Sequence, residues 1–277
     1  MIRVAVPGAF GAFSHLAAAE VFPAAAFVFF PTFAQVLNAV KNEQVDTGVV
    51  PVENSLAGRV TDIHRLLPSA DVCITGEHFL RIEHHLCGVK GAKPEDVKTV
   101  YSHAQALAQC SLYLTKTGVK TRACENTALA AQAVAEQQDK SCGAIASQAA
   151  AKQYGLKILK RNIEDSEDNR TRFLILSKTQ KPLEDGARVI TSFVFFVKHE
   201  PAALYHALGV FADKGVNLLR LESYVDSKNF TSAGFFADVS ADLTAGKGKE
   251  ALDDLRRHAL KVTVLGRYPA SPLRPEA

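Results

Sequence analysis

In the segment Val49-Val50-Pro51-Val52-Glu53-Asn54-Ser55 an apolar run ends on polar side chains. Thr47 to Val52 has the unbroken apolar character of a strand that is buried on both faces. In open α/β sheets, ligands bind beyond the carboxyl ends of such strands. Glu53 and Asn54 therefore lie where a ligand site is expected, or else they cap the helix that is predicted near Thr61.

Two strand-helix units come before this stretch. The predicted strands are 2–6 and 27–30, and the predicted helices are 14–21 and 32–41. Ser14 stands near the start of the first helix, where a hydroxyl side chain is favoured. The apolar residues of the second helix recur on one face, at Phe33, Val36, Leu37 and Val40. With the strand at 47–52 the order is βαβαβ, which predicts a parallel sheet covered by helices on both sides.

A second set of strands and helices follows. Strands are predicted at 98–101, 119–123 and 143–146, and helices at 104–115 and 127–136. Between the two sets, residues 71–89 form a long β-rich stretch that could cross from one lobe to another. Residues 172–176 form a further strand that could return to the first lobe. Two α/β lobes joined by crossing strands would create a cleft, which is a common place for a small ligand.

The C-terminal third has a different pattern. Residues 178–187 are polar, with Pro182 and Gly186, and are predicted to be a linker. Strands at 188–198, 216–225, 230–239 and 260–266 alternate with helices at 201–214 and 248–258, and a turn is predicted at 226–229. This βαββαβ order is that of a ferredoxin-like unit. Pro201 suits a first helical turn, Gly215 suits a helix end, and the tail at 269–277 is predicted to be extended.

The composition excludes several classes of protein. With 277 residues, of which 47% are hydrophobic, the chain can form a sizeable core over two domains or three small lobes. The net charge is only +3, the charges are scattered and tryptophan is absent, so nucleic-acid binding is not expected. The N-terminus enters a strand pattern without the apolar core of a signal peptide, and no apolar run is long enough to span a membrane. We expect a cytoplasmic protein without membrane contacts.

Cysteine and histidine do not form a disulfide or metal pattern. The cysteines number 5, an odd count, and no two have CxxC spacing, so neither a disulfide framework nor a zinc knuckle is indicated. Buried or partly buried thiols in a reducing compartment are expected. His84 and His85 are adjacent, and neighbouring side chains of a strand point to opposite faces, so the two should not share an ion. We therefore predict no metal site and a structural role for this pair.

Two further motifs place polar groups at strand ends. Residues 7–14, PGAFGAFS, can expose backbone N–H groups to an anion at a helix start, or can simply be a tight turn. They lack GxGxxG, so no dinucleotide site is predicted. Residues 101–105, YSHAQ, place Ser102 and His103 at a strand end, as a cap or as a hydrogen-bonding wall for a polar ligand. A Ser-His nucleophile pair is disfavoured, since adjacent side chains rarely meet and no acidic partner is evident.

The last motif is Asn169-Arg170-Thr171-Arg172-Phe173, which leads into an apolar strand. Alternation places Thr171 and Phe173 on one face and Arg172 on the other, unless the strand begins with a bend. Taken alone, the segment fits a charged strand edge as well as it fits a ligand site.

Together these motifs resemble the prephenate dehydratase family. The resemblance rests on GAFGAFSHLAA (8–18), VVPVENSLAG (49–58), YSHAQALAQC (101–110) and NRTRF (169–173), which occur in this order. The βαββαβ unit, with NLLRLES at 217–223, resembles the ACT domain. The implied fold is α/β, with a two-lobed, periplasmic-binding-protein-like catalytic domain and a ferredoxin-like ACT domain. The implied boundaries are 1–180 for the catalytic domain (lobe 1 at 1–75 plus 163–180, lobe 2 at 76–162), 188–268 for the ACT regulatory domain and 269–277 for a tail.

The resemblance implies conversion of prephenate to phenylpyruvate, CO2 and water, the step before phenylalanine. Because the product ring is aromatic, neither a metal nor a redox cofactor is needed. Thr171 matches the threonine of the family's TRF motif, whose hydroxyl donates a hydrogen bond to the leaving group, and Arg172 is the implied carboxylate partner. The other implied catalytic residues are Glu53, Asn54, Ser102 and Gln109, and the implied substrate contacts are Gly11, Ser14, His103 and Phe173.

Feedback by L-phenylalanine is also implied, at a pocket between the ACT domains of a homodimer or homotetramer. The implied effector-binding residues are Ala203, Leu204, Asn217, Leu218, Glu222 and Ser223. Two departures from the family pattern leave questions open. Ala12 replaces a hydroxyl residue, and Tyr224-Val225 replaces Arg-Pro beside the effector pocket. A preference for arogenate over prephenate and a non-catalytic two-lobed binding protein are the alternatives.

Overall fold

The structure is a computed structural model that describes residues 1–184, 186–225 and 233–274. In chain order, its strands are β1 (Arg3–Pro7), β2 (Ala26–Phe30), β3 (Thr47–Asn54), β4 (Gly58–Arg59), β5 (Cys73–Arg81), β6 (His85–Gly88), β7 (Thr99–His103), β8 (Lys120–Cys124), β9 (Cys142–Ala146), β10 (Lys157–Lys160), β11 (Arg170–Ser177), β12 (Val189–Val197), β13 (Leu218–Val225), β14 (Ala233–Val239) and β15 (Lys261–Pro269). Its helices are α1 (Phe13–Val21), α2 (Phe33–Lys41), α3 (Thr61–Leu66), α4 (Ala104–Ala108), α5 (Ser111–Thr117), α6 (Thr127–Gln137), α7 (Gln148–Gln153), α8 (Ala203–Asp213) and α9 (Gly246–His258). Every strand predicted from the sequence has a counterpart here.

The first sheet contains the strand that ends on Glu53 and Asn54. Its order is β2-β1-β3-β11-β5, with β4 paired to β3. β1 and β2 are parallel, as the βαβαβ pattern predicts. β11 lies between β3 and β5, so the predicted return of 172–176 to the first sheet is confirmed. This position places the start of β11 beside the end of β3.

The second sheet has the order β10-β6-β9-β7-β8. β7 is parallel to β8 and β9, whereas β6 is antiparallel to β9 and β10. The predicted β-rich stretch 71–89 thus supplies β5 to one sheet and β6 to the next. Helix α7 and strand β10 were not predicted, although Ser147 caps α7 by accepting a hydrogen bond from the Ala150 N–H at 3.1 Å.

The helix predicted at 104–115 is wrong, because two helices occupy this region. α4 ends at Ala108 and α5 begins at Ser111, so Gln109 and Cys110 form a break. The Asp165 carboxylate accepts hydrogen bonds from the N–H groups of Ser111 and Leu112, both at 3.0 Å. It therefore caps a new helix start that local periodicity could not reveal.

The third sheet has the order β13-β14-β12-β15 and is antiparallel. With α8 and α9, it has the predicted βαββαβ order. Helix α8 begins at Ala203, later than predicted, because Ala202 has a left-handed backbone with φ +62° and Pro201 precedes the helix. The predicted turn at 226–229 and residues 230–232 of the predicted strand lie outside the described residues.

The C-terminal tail is held by a buried ion pair, so the prediction that it is extended is wrong. β15 continues to Pro269, and the Arg274 N–H then donates to the Ser271 oxygen at 3.0 Å in a turn. Arg274 Nε and Nη2 donate to the two carboxylate oxygens of Glu77 at 2.7 Å and 2.6 Å. The Glu77 side chain is 0% exposed and the Arg274 side chain 12% exposed. Residues 275–277 of the predicted tail lie outside the described residues.

By internal packing the chain divides into two compact units. The first comprises Met1–Val36, Gly48–Val60 and Phe79–Phe173, and the second comprises Leu37–Thr47, Thr61–His78 and Leu174–Ala277. In the second unit, Phe193, Phe195 and Phe211 form part of a core beneath α8 and α9. The domain boundaries expected from the sequence stay a prediction.

The cysteines are free thiols, as predicted, and Cys87, Cys110 and Cys142 are buried. Burial raises the pKa of the Cys87 thiol to about 12, so this thiol is protonated at neutral pH. Within the described ranges, no helix combines the length and the apolar character needed to cross a bilayer.

Candidate active site

The end of β3 and the start of β11 bring three polar side chains together. Asn54 is 6% exposed, Asn169 is 0% exposed and Thr171 is 9% exposed. The Asn54 amide nitrogen donates to Asn169 Oδ1 at 2.7 Å and to Thr171 Oγ1 at 3.0 Å. The Arg170 backbone oxygen, 3.1 Å from the same nitrogen, is a third acceptor. The cluster lies at the carboxyl end of a buried strand, where the sequence places a ligand site.

Three carboxamides form a closed ring of hydrogen bonds, called the amide ring below. Asn54 donates to Asn169 Oδ1, Asn169 Nδ2 donates to Gln109 Oε1 at 3.1 Å, and Gln109 Nε2 donates to Asn54 Oδ1 at 3.1 Å. The backbone N–H groups of Leu56 and Ala57 also donate to Asn54 Oδ1, which fixes this atom as an acceptor. The ring therefore runs in one direction. Asn54 closes the turn after β3, not the helix near Thr61, so the capping alternative for Asn54 is wrong.

The amide ring sets the direction of the Thr171 hydroxyl. Thr171 Oγ1 accepts from Asn54 Nδ2, so its own hydrogen is left to donate. Among the described residues, no acceptor takes up that hydrogen. A hydroxyl held in this way is suited to donate a hydrogen bond to an oxygen that gains negative charge.

Glu53 and Arg172 form an ion pair between the same two strands. Glu53 is next to Asn54 on β3, and Arg172 is next to Thr171 on β11. Arg172 Nη1 lies 3.5 Å from Glu53 Oε1, and the two side chains are 1% and 29% exposed. β11 runs as one strand from Arg170 to Ser177, and successive side chains of a strand point to opposite faces. Arg172 thus faces the carboxylate of Glu53 in the structure, and its predicted contact with a substrate carboxylate stays a prediction.

Ser102 and His103 do not join the amide ring. Ser102 is 0% exposed, and its hydroxyl donates to the Ile145 backbone oxygen at 2.7 Å. His103 is the N-cap of α4, where its Nδ1 accepts from the Gln105 N–H at 3.3 Å. His103 therefore has the capping role that was one of the two predicted alternatives, and the Ser102 hydroxyl is engaged with the backbone of β9.

The glycine turn before α1 packs against α7. The Ser147 hydroxyl donates to the Gly11 oxygen at 2.6 Å, and the Gly11 N–H donates to His15 Nδ1 at 3.3 Å. Ser14 lies inside α1, 9% exposed, and the N-cap position belongs to Ala12 without a side-chain bond. Ser14 therefore lies near the helix start, as predicted, and the turn is a tightly packed backbone segment at that start.

Replacing Gly11 by alanine should lower the free energy of unfolding by about 3 kcal/mol or more. A Cβ there would lie 2.6 Å from the Ala150 Cα, on a backbone whose φ is +83°. Gly118→Ala is the control, since its φ is +66° but no atom lies within 4 Å of the added Cβ. We expect about 1 kcal/mol for this control in denaturant unfolding. Equal losses in the two variants would contradict the close packing of Gly11 on α7.

The remaining residues named from the sequence make no hydrogen bond with the amide ring in the described part of the chain. Phe173 is 1% exposed and belongs to the core, so it does not offer a surface to a ligand. Of the expected effector residues, Ala203 and Leu204 open α8 and pack partly against the core. Glu222 pairs with Arg220 at 3.1 Å on β13. The other expected effector residues are Asn217, Leu218 and Ser223, of which Asn217 and Ser223 are exposed and Leu218 begins β13.

Two residues of the cluster were not predicted as site residues. Asn169 belongs to the NRTRF motif, and this membership was the available signal. His84 was given a structural role, yet its Nε2 lies 3.0 Å from Gln109 Oε1. Its neighbour His85 instead accepts the Asn162 N–H at 3.1 Å. Within the described part of the chain, no group of three or more histidine, cysteine or acidic side chains is placed to hold a metal ion.

The chain is thus an α/β protein in which uncharged hydrogen-bonding side chains meet at the ends of sheet strands. The profile of the prephenate dehydratase family matches residues 4–181. The chain belongs to this family, as the resemblance in the sequence indicates.

Relatives and solved structures agree with this assignment. The chain is 41% identical to the bifunctional N-acyl-homoserine lactone acylase/prephenate dehydratase of Komagataeibacter europaeus, over 98% of this chain and 97% of the relative. It is 38% identical to arogenate dehydratase 2 of Petunia hybrida, over 97% of this chain and 72% of the relative. The crystal structure of prephenate dehydratase from Arthrobacter aurescens in complex with L-Phe is similar, with a TM-score of 0.90, 26% identity, and coverage of 100% of this chain and 92% of that chain.

Proposed function

We propose that this chain catalyses the conversion of prephenate to phenylpyruvate, CO2 and water. The observation that carries the proposal is the Thr171 hydroxyl, which accepts a hydrogen bond from Asn54 and keeps its own hydrogen for a departing oxygen. Membership of the prephenate dehydratase family supports the same reaction.

The reaction requires the protein to position the substrate and to donate one hydrogen bond to the departing oxygen. The ring carboxylate leaves as CO2, its bonding electrons enter the ring, and the hydroxyl at the opposite ring position takes up a proton from the solvent and departs as water. Because the ring becomes aromatic, this step needs neither a metal nor a redox cofactor. Thr171 supplies the hydrogen bond to the departing oxygen, and the amide ring keeps its hydroxyl in the donating direction.

Substrate carboxylates are assigned to the turn that leads into α1. The backbone N–H groups at a helix start attract an anion, and the first turn of α1 contains no acidic residue. Gly11 and Ser14 belong to this region. Arg172, Glu53 and Ser102 are assigned a supporting role, since Arg172 faces Glu53 and Ser102 is bonded to the backbone of β9.

The proposed domain organisation is a two-lobed, periplasmic-binding-protein-like catalytic domain at 1–180 and an ACT domain at 188–268. The family match ends at residue 181, next to the proposed boundary. The βαββαβ order of β12 to β15 with α8 and α9 supports a ferredoxin-like second domain. We place the protein in the cytoplasm as a homodimer or homotetramer.

The purified protein should form phenylpyruvate from prephenate, and absorbance of the product enolate in alkali measures it. Arogenate is the alternative substrate, because one relative bears the name arogenate dehydratase, and its product would be phenylalanine. Kinetics with both substrates decides between them. Absence of product from either substrate would refute a dehydratase and favour a binding protein.

A second candidate activity comes from the relative named as a bifunctional N-acyl-homoserine lactone acylase/prephenate dehydratase, which is 41% identical over 98% of the chain. Release of homoserine lactone from an N-acyl-homoserine lactone tests it. Its loss in Thr171→Val would place both activities in the same site.

L-phenylalanine is the proposed effector, since a structurally similar prephenate dehydratase was solved as its complex. The proposed contacts are Ala203, Leu204, Asn217, Leu218, Glu222 and Ser223. Titration calorimetry should detect phenylalanine binding at millimolar concentrations or below. A Glu222→Ala variant should bind more weakly, while Glu250→Ala, a change at an exposed ion pair on α9, should bind as the unmodified chain does. Absence of any heat of binding would refute phenylalanine as effector.

A further inference from the structure

We propose that His84 is a positioning residue, which holds the Gln109 carboxamide in place and so keeps closed the amide ring that leaves Thr171 as a hydrogen-bond donor. This inference rests on the proposed dehydratase function. His84 does not reach Thr171 itself; it acts through Gln109 and Asn54.

The contacts of Gln109 fix which ring nitrogen of His84 carries hydrogen. Gln109 Oε1 already accepts from Asn169 Nδ2 at 3.1 Å, and Gln109 Nε2 is committed to Asn54 Oδ1. His84 Nε2, at 3.0 Å from the same Oε1, must therefore be a donor. His84 Nδ1 is buried and has no hydrogen-bond partner among the described residues, so a hydrogen on that atom would be unsatisfied.

One short segment holds both His84 and Gln109. The Ile163 N–H donates to the His84 backbone oxygen at 2.8 Å, and the His84 N–H donates to Glu164 Oε2 at 2.9 Å. The Asp165 N–H donates to the Gln109 backbone oxygen at 2.7 Å. The backbone groups of His84 and Gln109 are thus held by neighbouring residues of the segment that continues into Asn169 and Thr171. The helix break at Gln109 serves this arrangement.

The surroundings of His84 keep the imidazole neutral. Burial lowers its pKa, and the hydrogen bond with Gln109 and the charge of Glu164 oppose this only in part. His85 contributes in the same direction as burial. The ring of Phe13 meets the imidazole edge to face, with centroids 5.4 Å apart. A neutral imidazole with one N–H matches the single acceptor that Gln109 offers.

The kinetic experiment compares His84→Leu with His84→Gln, using prephenate as substrate. Leucine lacks the donor, and we expect kcat to fall about tenfold with KM changed by less than about twofold. Glutamine offers an N–H at similar reach and should recover most of kcat. His85→Leu is the matched control, because His85 is as buried as His84, 2% exposed in both cases, but is bonded to the Asn162 N–H. Its kcat should be unchanged even if its melting temperature falls. Full kcat in His84→Leu, or equal losses in His84→Leu and His85→Leu, would overturn the inference.

A measurement without substrate keeps this test separate from the proposed function. Nitrogen-15 spectra of the histidine side chains should show His84 as the Nε2–H tautomer at neutral pH, with the signal assigned by its loss in His84→Gln. The Nδ1–H tautomer would overturn the inference. If the unmodified chain does not turn over prephenate, the proposed function is refuted. The tautomer measurement would still show whether His84 Nε2 donates to Gln109.

Discussion

A Thr171→Val variant should lose about two to three orders of magnitude in kcat with prephenate, because valine keeps the shape of threonine but lacks the hydroxyl. Thr171 Oγ1 accepts from Asn54, so the hydroxyl hydrogen of Thr171 is left to donate, as far as the described residues go. The loss should fall on kcat, with little change in KM, because the bond strengthens as the departing oxygen gains charge.

Thr171→Ser is the matched control for this result. Serine keeps the hydroxyl and can accept from Asn54 in the same way, so kcat should stay within about tenfold of the unmodified chain. The amide ring itself should survive in both variants, since Asn54 still donates to Asn169 Oδ1 at 2.7 Å. A valine variant that turns over prephenate at the normal rate would remove Thr171 from the mechanism.

Arg274→Ala should lower the free energy of unfolding by about 3 kcal/mol. Its guanidinium donates to both oxygens of Glu77, whose side chain is 0% exposed, and alanine would remove this bidentate partner from a buried carboxylate. Denaturant unfolding, followed by circular dichroism, measures the change.

Arg257→Ala is the control for Arg274→Ala. Its guanidinium also contacts a carboxylate, that of Asp254 at 2.7 Å, but the arginine side chain is 75% exposed. An exposed pair contributes about 0.5 kcal/mol or less, so this variant should unfold almost like the unmodified chain. Similar small losses in both variants would show that the tail bond does not stabilise the protein.

The sheets could be predicted because each strand is marked by residues that are close together in the sequence. Apolar runs and turn residues located the strands other than β4 and β10, and the βαβαβ and βαββαβ orders indicated the architecture. The break between α4 and α5 could not be predicted, because its cap, Asp165, lies 54 residues from Ser111 in the chain. The turn of the tail depends likewise on Glu77, 197 residues before Arg274.

The site was predictable in part for the same reason. The alternation of side chains along β11 placed Thr171 and Arg172 on opposite faces, as the structure has them. The end of the apolar run placed Asn54 at the carboxyl end of β3. The burial of Arg172 and the bond of Ser102 to Ile145 depend on neighbouring strands that a single segment does not reveal. The link from His84 to Gln109 became visible only with the helix break that brings the carboxamide to the histidine.

The amide ring of Asn54, Gln109 and Asn169 makes this protein sensitive to deamidation. Side-chain amides hydrolyse slowly to carboxylic acids, and they are among the thermolabile groups of proteins. Deamidation of one ring member would replace a donating nitrogen by an accepting oxygen and set two acceptors against each other. Such a change should lower turnover while the strands and helices stay folded, so loss of activity and loss of fold would be separate events in this protein.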